Sequence, residues 1–390
     1  MLQLEENKGI PRAMMILMAM LAGFTVANLY YSQPLLDMIR HDLHTTEVGA
    51  NLITVITQVG YALGLLLVIP AADLYSRRRI IIVCMTGAAL MAALTALATD
   101  LHIIWTASLF LGLCSVVPQL FIPIAGQYSR LENKARNMGY VLSGLLTGIL
   151  SARVLSGFIG DWMGWRAVYA IATCIMAVCC LVTLRLMPRM RANFTGNYLG
   201  LMHSVWTIVR THPRIRLNSV RAAFGFGSML AIWSCLAFHI AGSPFYDSSD
   251  MVGVLGLCGI AGAVAASGMG KWIPKYGVRR FSAVGAMLQI VAWLTVYVFG
   301  DSYAGIIVGI ILVDIGVQCQ QLSNQSSCIQ ELPEASNRVN TIFMTTYFIG
   351  GSLGTYCAGQ GWTTAGWLGV CLVGIAFASA SLLITCITRR

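Results

Sequence analysis

Two ionisable residues, Arg153 and Asp314, lie inside long apolar segments of this chain. A charged side chain at the centre of a membrane-spanning helix costs at least about 2.5–3.5 kcal/mol on insertion scales, so its presence indicates a function. At 1.5 Å per residue, both lie about two to three turns from the same end of their predicted helices, which places them at similar depth. We predict that Asp314 binds and releases a proton, while Arg153 sets its proton affinity or holds an anionic part of a substrate. The alternative is a static ion pair that fixes the packing of two helices.

Polar side chains follow Asp314 along one face of the same predicted helix. Gln318, Gln321 and Gln325 stand four, seven and eleven residues after it, which is the spacing of a single helical face. Amides facing lipid would be left unsatisfied, so this face should point into the protein. We predict a cavity for a polar solute that is also lined from other helices, by Asn28, Tyr31, Gln58, Tyr61 and Gln119. For each of these residues the alternative is an interhelical hydrogen bond with no contact to substrate.

The composition requires a membrane to position these groups. Of 390 residues, 57% are hydrophobic and only 10% are charged, against roughly 45–50% and about 25% in soluble proteins. The net charge of +10 is spread over short loops between apolar segments, which argues against a nucleic-acid-binding surface. The twelve cysteines lie mostly in apolar stretches, where free cysteine packs as a small hydrophobic residue.

A helix needs roughly 20 apolar residues to cross the hydrocarbon core, and twelve stretches meet that requirement. The predicted spans are Ala13–Gln33, Val48–Ile69, Ile80–Ala98, His102–Gln127, Met138–Gly160, Arg166–Met187, Leu217–Gly242, Met251–Lys271, Phe281–Phe299, Tyr303–Cys328, Val339–Gly359 and Thr364–Ile387. The resulting fold class is an all-α membrane protein.

Loop charges predict which way the chain crosses the membrane. One set of loops is rich in arginine and lysine, including Arg77–Arg79, and the alternate set is acidic. Because positive loops stay in the cytoplasm, we expect both termini to be cytoplasmic, in a bacterial inner membrane. Residues 1–12 form a polar lead without the features of a cleavable signal peptide.

The chain also divides into two similar halves. The string Tyr75-Ser76-Arg77-Arg78 returns as Tyr276-Gly277-Val278-Arg279, and Gly164-Trp165 returns as Gly366-Trp367, in the same order. We therefore predict a six-helix bundle over residues 1–187, a cytoplasmic linker over 188–215 and a second six-helix bundle over 216–390. In transporters built from such repeats, the substrate site lies between the halves near the middle of the membrane.

These features together resemble the major facilitator superfamily. Its signature loop between spans two and three reads Gly-x-x-x-Asp-x-x-Gly-Arg-Arg/Lys; here Asp73, Arg77 and Arg78 match, while Ile69 and Ser76 stand in place of glycine. The resemblance implies the major facilitator fold of two pseudo-symmetric bundles. It also implies that Asp73, Arg77 and Arg78 form a gating loop, which holds the halves together in the outward-open state.

Three further stretches suggest a branch of that family. Residues 148–157 are similar to the span-five signature of twelve-span drug:proton antiporters, with Arg153 where proline is usual. Residues 27–34 and 314–318 resemble a bacterial subgroup near purine-ribonucleoside and sugar efflux permeases.

From these observations we predict a proton-coupled transporter that exports a small polar or amphipathic organic solute in exchange for protons. The alternatives are proton-coupled uptake of a small organic anion and a membrane sensor or scaffold that transports nothing. The partners we expect are the solute, protons and the lipid bilayer, with no nucleic acid. No cofactor, metal site or enzymatic activity is predicted, and the chain is expected to act as a monomer.

Overall fold

Apolar helices make up nearly all of the computed structural model, which describes residues 6–188, 197–269 and 273–387. Within those ranges the side chains of residues 73, 135, 263, 266–269 and 274 are not described. Sixteen α-helices are found in this part of the chain, together with three short 3-10 turns. The helices are α1 Arg12–Ala27, α2 Ser32–Asp42, α3 Glu47–Leu74, α4 Arg77–Leu97, α5 Leu101–Cys114, α6 Pro118–Tyr128, α7 Lys134–Met163, α8 Trp165–Leu186, α9 Tyr198–Thr211, α10 Pro213–Ala241, α11 Ser249–Leu255, α12 Gly259–Met269, α13 Ile273–Tyr276, α14 Val278–Phe299, α15 Tyr303–Glu331 and α16 Ser336–Ile387.

Ten helical segments of the described chain are long and apolar enough to cross a membrane. One of them, Pro333–Ile387, covers two predicted spans, which are separated by non-helical backbone at Ala365 and Gly366. Gly366 has a φ of +58°, a conformation that glycine adopts without a steric cost. The predicted eighth span overlaps the shorter apolar stretch Ser249–Gly262, and its last residue, Lys271, lies outside the described residues. The all-helical membrane fold is confirmed, and the count of twelve spans stays a prediction.

Three of the predicted spans are interrupted partway along. Residues 28–31 separate α1 from α2, residues 115–117 separate α5 from α6, and the 3-10 turn Gly256–Cys258 separates α11 from α12. Backbone of this kind is tolerated at membrane depth only where protein or a cavity surrounds it. The interruptions therefore indicate where the interior of the bundle departs from simple helix packing.

The two ends of the bundle differ in charge, and we name them by their residues. The acidic end carries Asp42, Asp100, Asp247 and Asp301; the basic end carries Arg77, Arg130 and Arg279. At the acidic end, side chains of Thr46, Asp100 and Ser302 cap the first turns of α3, α5 and α15 by accepting backbone N–H bonds. Such capping defines where these helices begin.

Glycines allow the helices to cross at short distance. A Cβ atom at Gly354 of α16 would lie 2.2 Å from the carbonyl oxygen of Gly227 of α10. A Cβ at Gly148 of α7 would lie 2.3 Å from the carbonyl oxygen of Gly23 of α1. Small residues at such crossings are the usual means of packing helices in lipid, where dispersion contacts replace the hydrophobic effect.

A connecting helix, α9, lies within the predicted linker. Its Tyr198 hydroxyl donates a hydrogen bond to the carbonyl oxygen of Leu67 in α3 at 3.0 Å, and α9 also packs against α10 and α16. Residues 189–196 of the linker, and residues 1–5 and 388–390 of the two predicted bundles, lie outside the described residues. The domain boundaries stay a prediction.

We expect Gly354→Ala to destabilise the protein by about 1–3 kcal/mol, because the new methyl group has no room at the α10–α16 crossing. The midpoint of thermal unfolding in detergent measures this effect. Gly139→Ala is the matched control, since nothing lies within 4 Å of a Cβ at that position. Equal midpoints for the two variants would contradict the close packing described above.

Candidate functional site

A cavity of about 200 Å³ lies inside the bundle, with walls from α1, α3, α6, α7, α10, α12, α15 and α16. It brings together seven of the residues predicted from sequence: Tyr61, Gln119, Arg153, Asp314, Gln318, Gln321 and Gln325. The three remaining predicted residues lie elsewhere. Asn28 donates a hydrogen bond to the Met176 sulfur at 3.4 Å, Gln58 accepts one from Thr355 at 3.2 Å, and Tyr31 borders a different cavity.

Arg153 is buried in α7 between two aromatic rings. Its guanidinium carbon lies 3.9 Å from the ring centroid of Trp233 and 5.0 Å from that of Tyr30. Its Nε donates a hydrogen bond to the Oε1 atom of Gln33 at 2.8 Å. Only 3% of the residue is exposed, so these contacts replace most of its water. Cation–π contacts of this kind stabilise a cation more strongly when it is desolvated.

Asp314 lies in α15 and borders the same cavity. It is buried, and its Oδ1 atom has no hydrogen-bond partner among the described residues. Arg153 is an electrostatic neighbour, but no ion pair with a nitrogen–oxygen distance of 4.0 Å or less joins these two described residues. The two residues therefore border one cavity without forming the ion pair that was the alternative interpretation from the sequence.

Glycines of the interrupted eighth span make room for both charges. A Cβ at Gly256 would lie 3.0 Å from the Cβ of Arg153, and one at Gly259 would lie 3.3 Å from Oδ2 of Asp314. A Cβ at Gly262 would lie 3.0 Å from the Cβ of Asp314. The spacing of three residues places all three glycines toward the charged pair.

The amide face of α15 is partly engaged by neighbouring helices. Gln321 accepts a hydrogen bond from the hydroxyl of Tyr347 at 3.0 Å, and Gln325 donates one to Asn340 at 2.7 Å. On the opposite face of α15, Gln320 donates to Gln289 and accepts from Ser381, both buried. The two faces therefore differ in role, since one borders the cavity and the other joins α15 to α14 and α16.

Aromatic rings that the sequence did not single out form the rest of the cavity wall. Phe226 of α10 stacks on Tyr347 of α16, with ring centroids 3.9 Å apart and an interplanar angle of 14°. Phe348 lies 4.4 Å from Tyr61 by the same measure. Apolar residues in an apolar helix give no periodic signal, so only the structure identifies this wall.

Side chains and backbone close the cavity toward the acidic end. Asn51 of α3 donates a hydrogen bond to the carbonyl oxygen of Thr355 in α16 at 3.2 Å. Ser249 of α11 donates one to the carbonyl oxygen of Gly157 in α7 at 3.0 Å. A Cβ at Gly157 would lie 2.5 Å from the Ser249 carbonyl oxygen. These contacts join the two predicted halves at that end.

The predicted gating loop lies at the basic end. Arg77 donates a hydrogen bond to Gln127 of α6 at 2.8 Å, and Arg78 donates one to the carbonyl oxygen of Leu184 in α8. The side chain of Asp73 lies outside the described residues. The gating role of Asp73, Arg77 and Arg78 stays a prediction.

A larger cavity of about 970 Å³ lies on the outer side of α1 and α7. Its apolar wall includes the exposed side chains of Ile16, Met20, Phe24 and Leu155. A groove with this lining faces the lipid chains of a membrane. We therefore assign the candidate solute site to the smaller inner cavity, which holds the buried charges.

Comparison with known proteins gives one consistent result. The family model described as Major Facilitator Superfamily matches residues 15–355. The uncharacterized transporter YgaY of Escherichia coli O157:H7 is 33% identical over 380 residues, which covers 97% of this chain and 96% of that protein. Among solved structures, the nucleoside transporter NupG has a TM-score of 0.69 at 17% identity, with coverage of 96% of this chain and 98% of that one. The human organic anion transporter MFSD10 has a TM-score of 0.69 at 16% identity, with coverage of 96% and 100%.

We expect Asn51→Ala to loosen the acidic end, because it removes a hydrogen bond between α3 and α16. A net loss of about 0.5–1.5 kcal/mol corresponds to roughly two- to ten-fold more frequent opening. Hydrogen–deuterium exchange of peptides covering residues 47–58 and 351–359 measures that opening. Asn137→Ala is the control, since Asn137 bonds Ser129 at the basic end. If both variants exchange like the parent protein, Asn51 does not contribute to this closure.

Proposed function

The chain belongs to the Major Facilitator Superfamily, and from this premise we propose that it is a proton-coupled secondary active transporter of a small organic solute. Membrane transport follows from the family and from relatives named as transporters. The coupling ion, the direction and the solute are our proposal. The observation that carries it is that two buried charged residues, Arg153 and Asp314, border one internal cavity without forming an ion pair with each other.

The proton role rests on the surroundings of Asp314. A carboxylate that is buried, has an oxygen without a hydrogen-bond partner and borders a cavity can gain a proton without breaking an existing bond. Protonation removes its charge and thereby changes the field that acts on a bound solute. A charge that can be removed in this way links proton binding to solute binding.

Alternating access is the second part of the proposal. Contacts through Asn51, Ser249 and Gly157 hold the acidic end together, while the cavity wall includes Gln325, which lies nearer the basic end of α15. We propose that residues 1–187 and 216–390 rock against each other, and that Asp73, Arg77 and Arg78 close the basic end in the opposite state. With twelve spans, the basic end and both termini then lie on the cytoplasmic side of a bacterial inner membrane. We propose that the chain works as a monomer, with no cofactor and no enzymatic step.

Two modes of coupling follow, depending on the charge of the solute. Export in exchange for protons, as predicted from the sequence, requires a solute that competes with the proton for Asp314. Uptake with a proton requires an anion that binds best when Asp314 is neutral. The absence of an ion-pair partner for Arg153 within the described chain favours the second mode, since a buried guanidinium without a carboxylate is suited to receive one.

The structural neighbours carry names that suggest different solutes, a nucleoside for NupG and an organic anion for MFSD10. At 16–17% identity the likeness extends to the fold alone. The proposed solute therefore depends on the cavity of this chain and not on those names.

We expect Asp314→Asn to abolish solute-dependent proton movement, because the amide cannot take up a proton. The protein is placed in liposomes that contain a pH-sensitive dye, a pH gradient is imposed, and nucleosides, sugars, aromatic and aliphatic carboxylates and cationic drugs are added in turn. The parent protein should change the internal pH with at least one class. Asp301→Asn, at the exposed acidic end, is the control and should behave like the parent. Unchanged proton movement in Asp314→Asn would contradict the proposed role of Asp314 in proton binding.

A further inference from the structure

The guanidinium group of Arg153 borders the cavity, and two of its neighbours carry buried N–H donors that have no hydrogen-bond partner among the described residues. Arg153 uses its Nε for Gln33, and neither of its Nη atoms has a hydrogen bond to a described residue. The Nε2 atom of Gln33 and the Nε1 atom of Trp233 are both buried without a partner. Gln33 is 1% exposed and Trp233 is fully buried. A buried donor without an acceptor costs free energy, so unpartnered donors beside a guanidinium that has no ion-pair partner among the described residues indicate a missing acceptor.

The arrangement of these donors suits a planar anion. Gln33 is tied to the guanidinium by the 2.8 Å hydrogen bond, and the Trp233 ring lies 3.9 Å from its centre. The two Nη atoms of arginine form a fork that matches the two oxygens of a carboxylate. Trp233 interacts with Asp314 through its side chain, although no described acceptor lies within 3.5 Å of the indole N–H. The missing acceptor is therefore one for Arg153 and Gln33.

Next to this anion site, the cavity wall is aromatic. Tyr61, Phe226, Tyr347 and Phe348 lie together on the cavity, and Tyr30 borders both the cavity and the guanidinium. Rings prefer offset-stacked or edge-to-face contact with other rings. The volume of about 200 Å³ lies below the roughly 300–1,000 Å³ that is typical of sites for drug-sized ligands. The space and its lining match one small ring with a short substituent.

We propose that the transported solute is a small aromatic carboxylate, bound with its carboxylate at Arg153 and its ring against Phe226 and Phe348. Ring hydroxyl groups would meet the amides of α15, of which Gln318 and Gln321 border the cavity. This inference rests on the proposed function, since it names the solute of the same site. A cationic solute would be repelled by Arg153, and an uncharged one would leave the guanidinium unpaired.

The same geometry defines how a proton takes part. A carboxylate at Arg153 places a second negative charge near Asp314, so solute binding and protonation of Asp314 favour each other. The other titratable groups that act on Asp314 are Tyr30, Tyr347 and Cys258, in three different parts of the chain, besides Arg153 itself. Solute and proton then move in the same direction.

Ligand-induced thermal stabilisation of the purified full chain tests the proposal. The probes are benzoate, 4-hydroxybenzoate, 4-hydroxyphenylacetate, cyclohexanecarboxylate, 4-hydroxybenzamide and benzylamine. We expect at least one aromatic carboxylate to bind, the aliphatic ring acid to bind at least ten-fold more weakly, and the amide and the amine not to bind. Binding of the aromatic acids should also weaken at least three-fold for each unit that the pH rises above neutrality.

Arg153→Gln should weaken binding of the aromatic carboxylate by roughly ten- to a hundred-fold, the range for loss of hydrogen bonds to a charged group. The double variant Arg153→Gln with Asp314→Asn keeps the net charge and should also lose binding. Arg136→Gln, which changes an exposed arginine far from the inner cavity, is the control and should bind like the parent.

The proposal is overturned if none of the three aromatic carboxylates binds, if the amide or the amine binds as well as the acid, or if the double variant retains the parent affinity. These results are independent of the dye assay with Asp314→Asn. If no aromatic carboxylate binds while another class still drives Asp314-dependent proton movement, the solute class is wrong and the transporter mechanism stands. If an aromatic carboxylate binds and Asp314→Asn still moves protons with it, the proton role is wrong and the solute class stands.

Discussion

The arrangement of this protein's interior depends on the burial of one guanidinium group. Arg153 can lie in a medium of low polarity only because two rings and one amide replace its water. Those contacts engage the guanidinium group and its Nε, and neither Nη atom has a hydrogen bond to a described residue. A fully satisfied ion pair would have made the same position inert, since breaking a buried pair is strongly unfavourable. In the proposed mechanism, these contacts stabilise the charge, and the Nη atoms remain available to bind an anion.

The backbone around this charge follows from the same constraint. Bulky side chains on the eighth span would occupy the space of Arg153 and Asp314, and glycines at 256, 259 and 262 avoid that. Glycine weakens a helix, and the 3-10 turn Gly256–Cys258 lies within this glycine-rich stretch. The interruption in the first predicted span, at residues 28–31, includes the cavity residue Tyr30. The interruption in the fourth, at residues 115–117, lies close in sequence to the cavity residue Gln119. Irregular backbone is thus concentrated where the protein surrounds a cavity and is shielded from lipid.

The sequence predicted the part of this site that carries periodic polarity, and the structure supplies the rest. Asp314, Gln318, Gln321 and Gln325 all border the cavity, because polar groups at helical spacing have only one face on which to avoid lipid. Asn28 and Gln58 have the same chemistry, but their contacts are to Met176 and Thr355, which spacing within one helix cannot reveal. Apart from Tyr61, the aromatic rings of the cavity wall were not predicted, since Phe226 and Phe348 are ordinary in apolar segments. The number of long apolar helices in the described chain differs from the twelve predicted spans where α16 continues through Gly366 and where the helix of the eighth span is short, because local backbone geometry decides helix length.

Rocking between two states requires that the contacts at either end be weak compared with a folded core. The hydrogen bonds from Asn51 and Ser249 across the acidic end contribute about 0.5–1.5 kcal/mol each, in addition to close glycine contacts. A solute that binds with a millimolar to micromolar dissociation constant supplies about 4–8 kcal/mol. Only the part of that energy that differs between the two states can shift their populations. The donors of Arg153 supply such a difference if they are satisfied only when an anion lies between Arg153 and the aromatic wall. Separating the walls would then remove the ring contacts while the carboxylate stays bound. The proposed cycle therefore requires both a guanidinium without an ion-pair partner and weak contacts at the ends. Neither alone would couple solute binding to the rocking of the two halves.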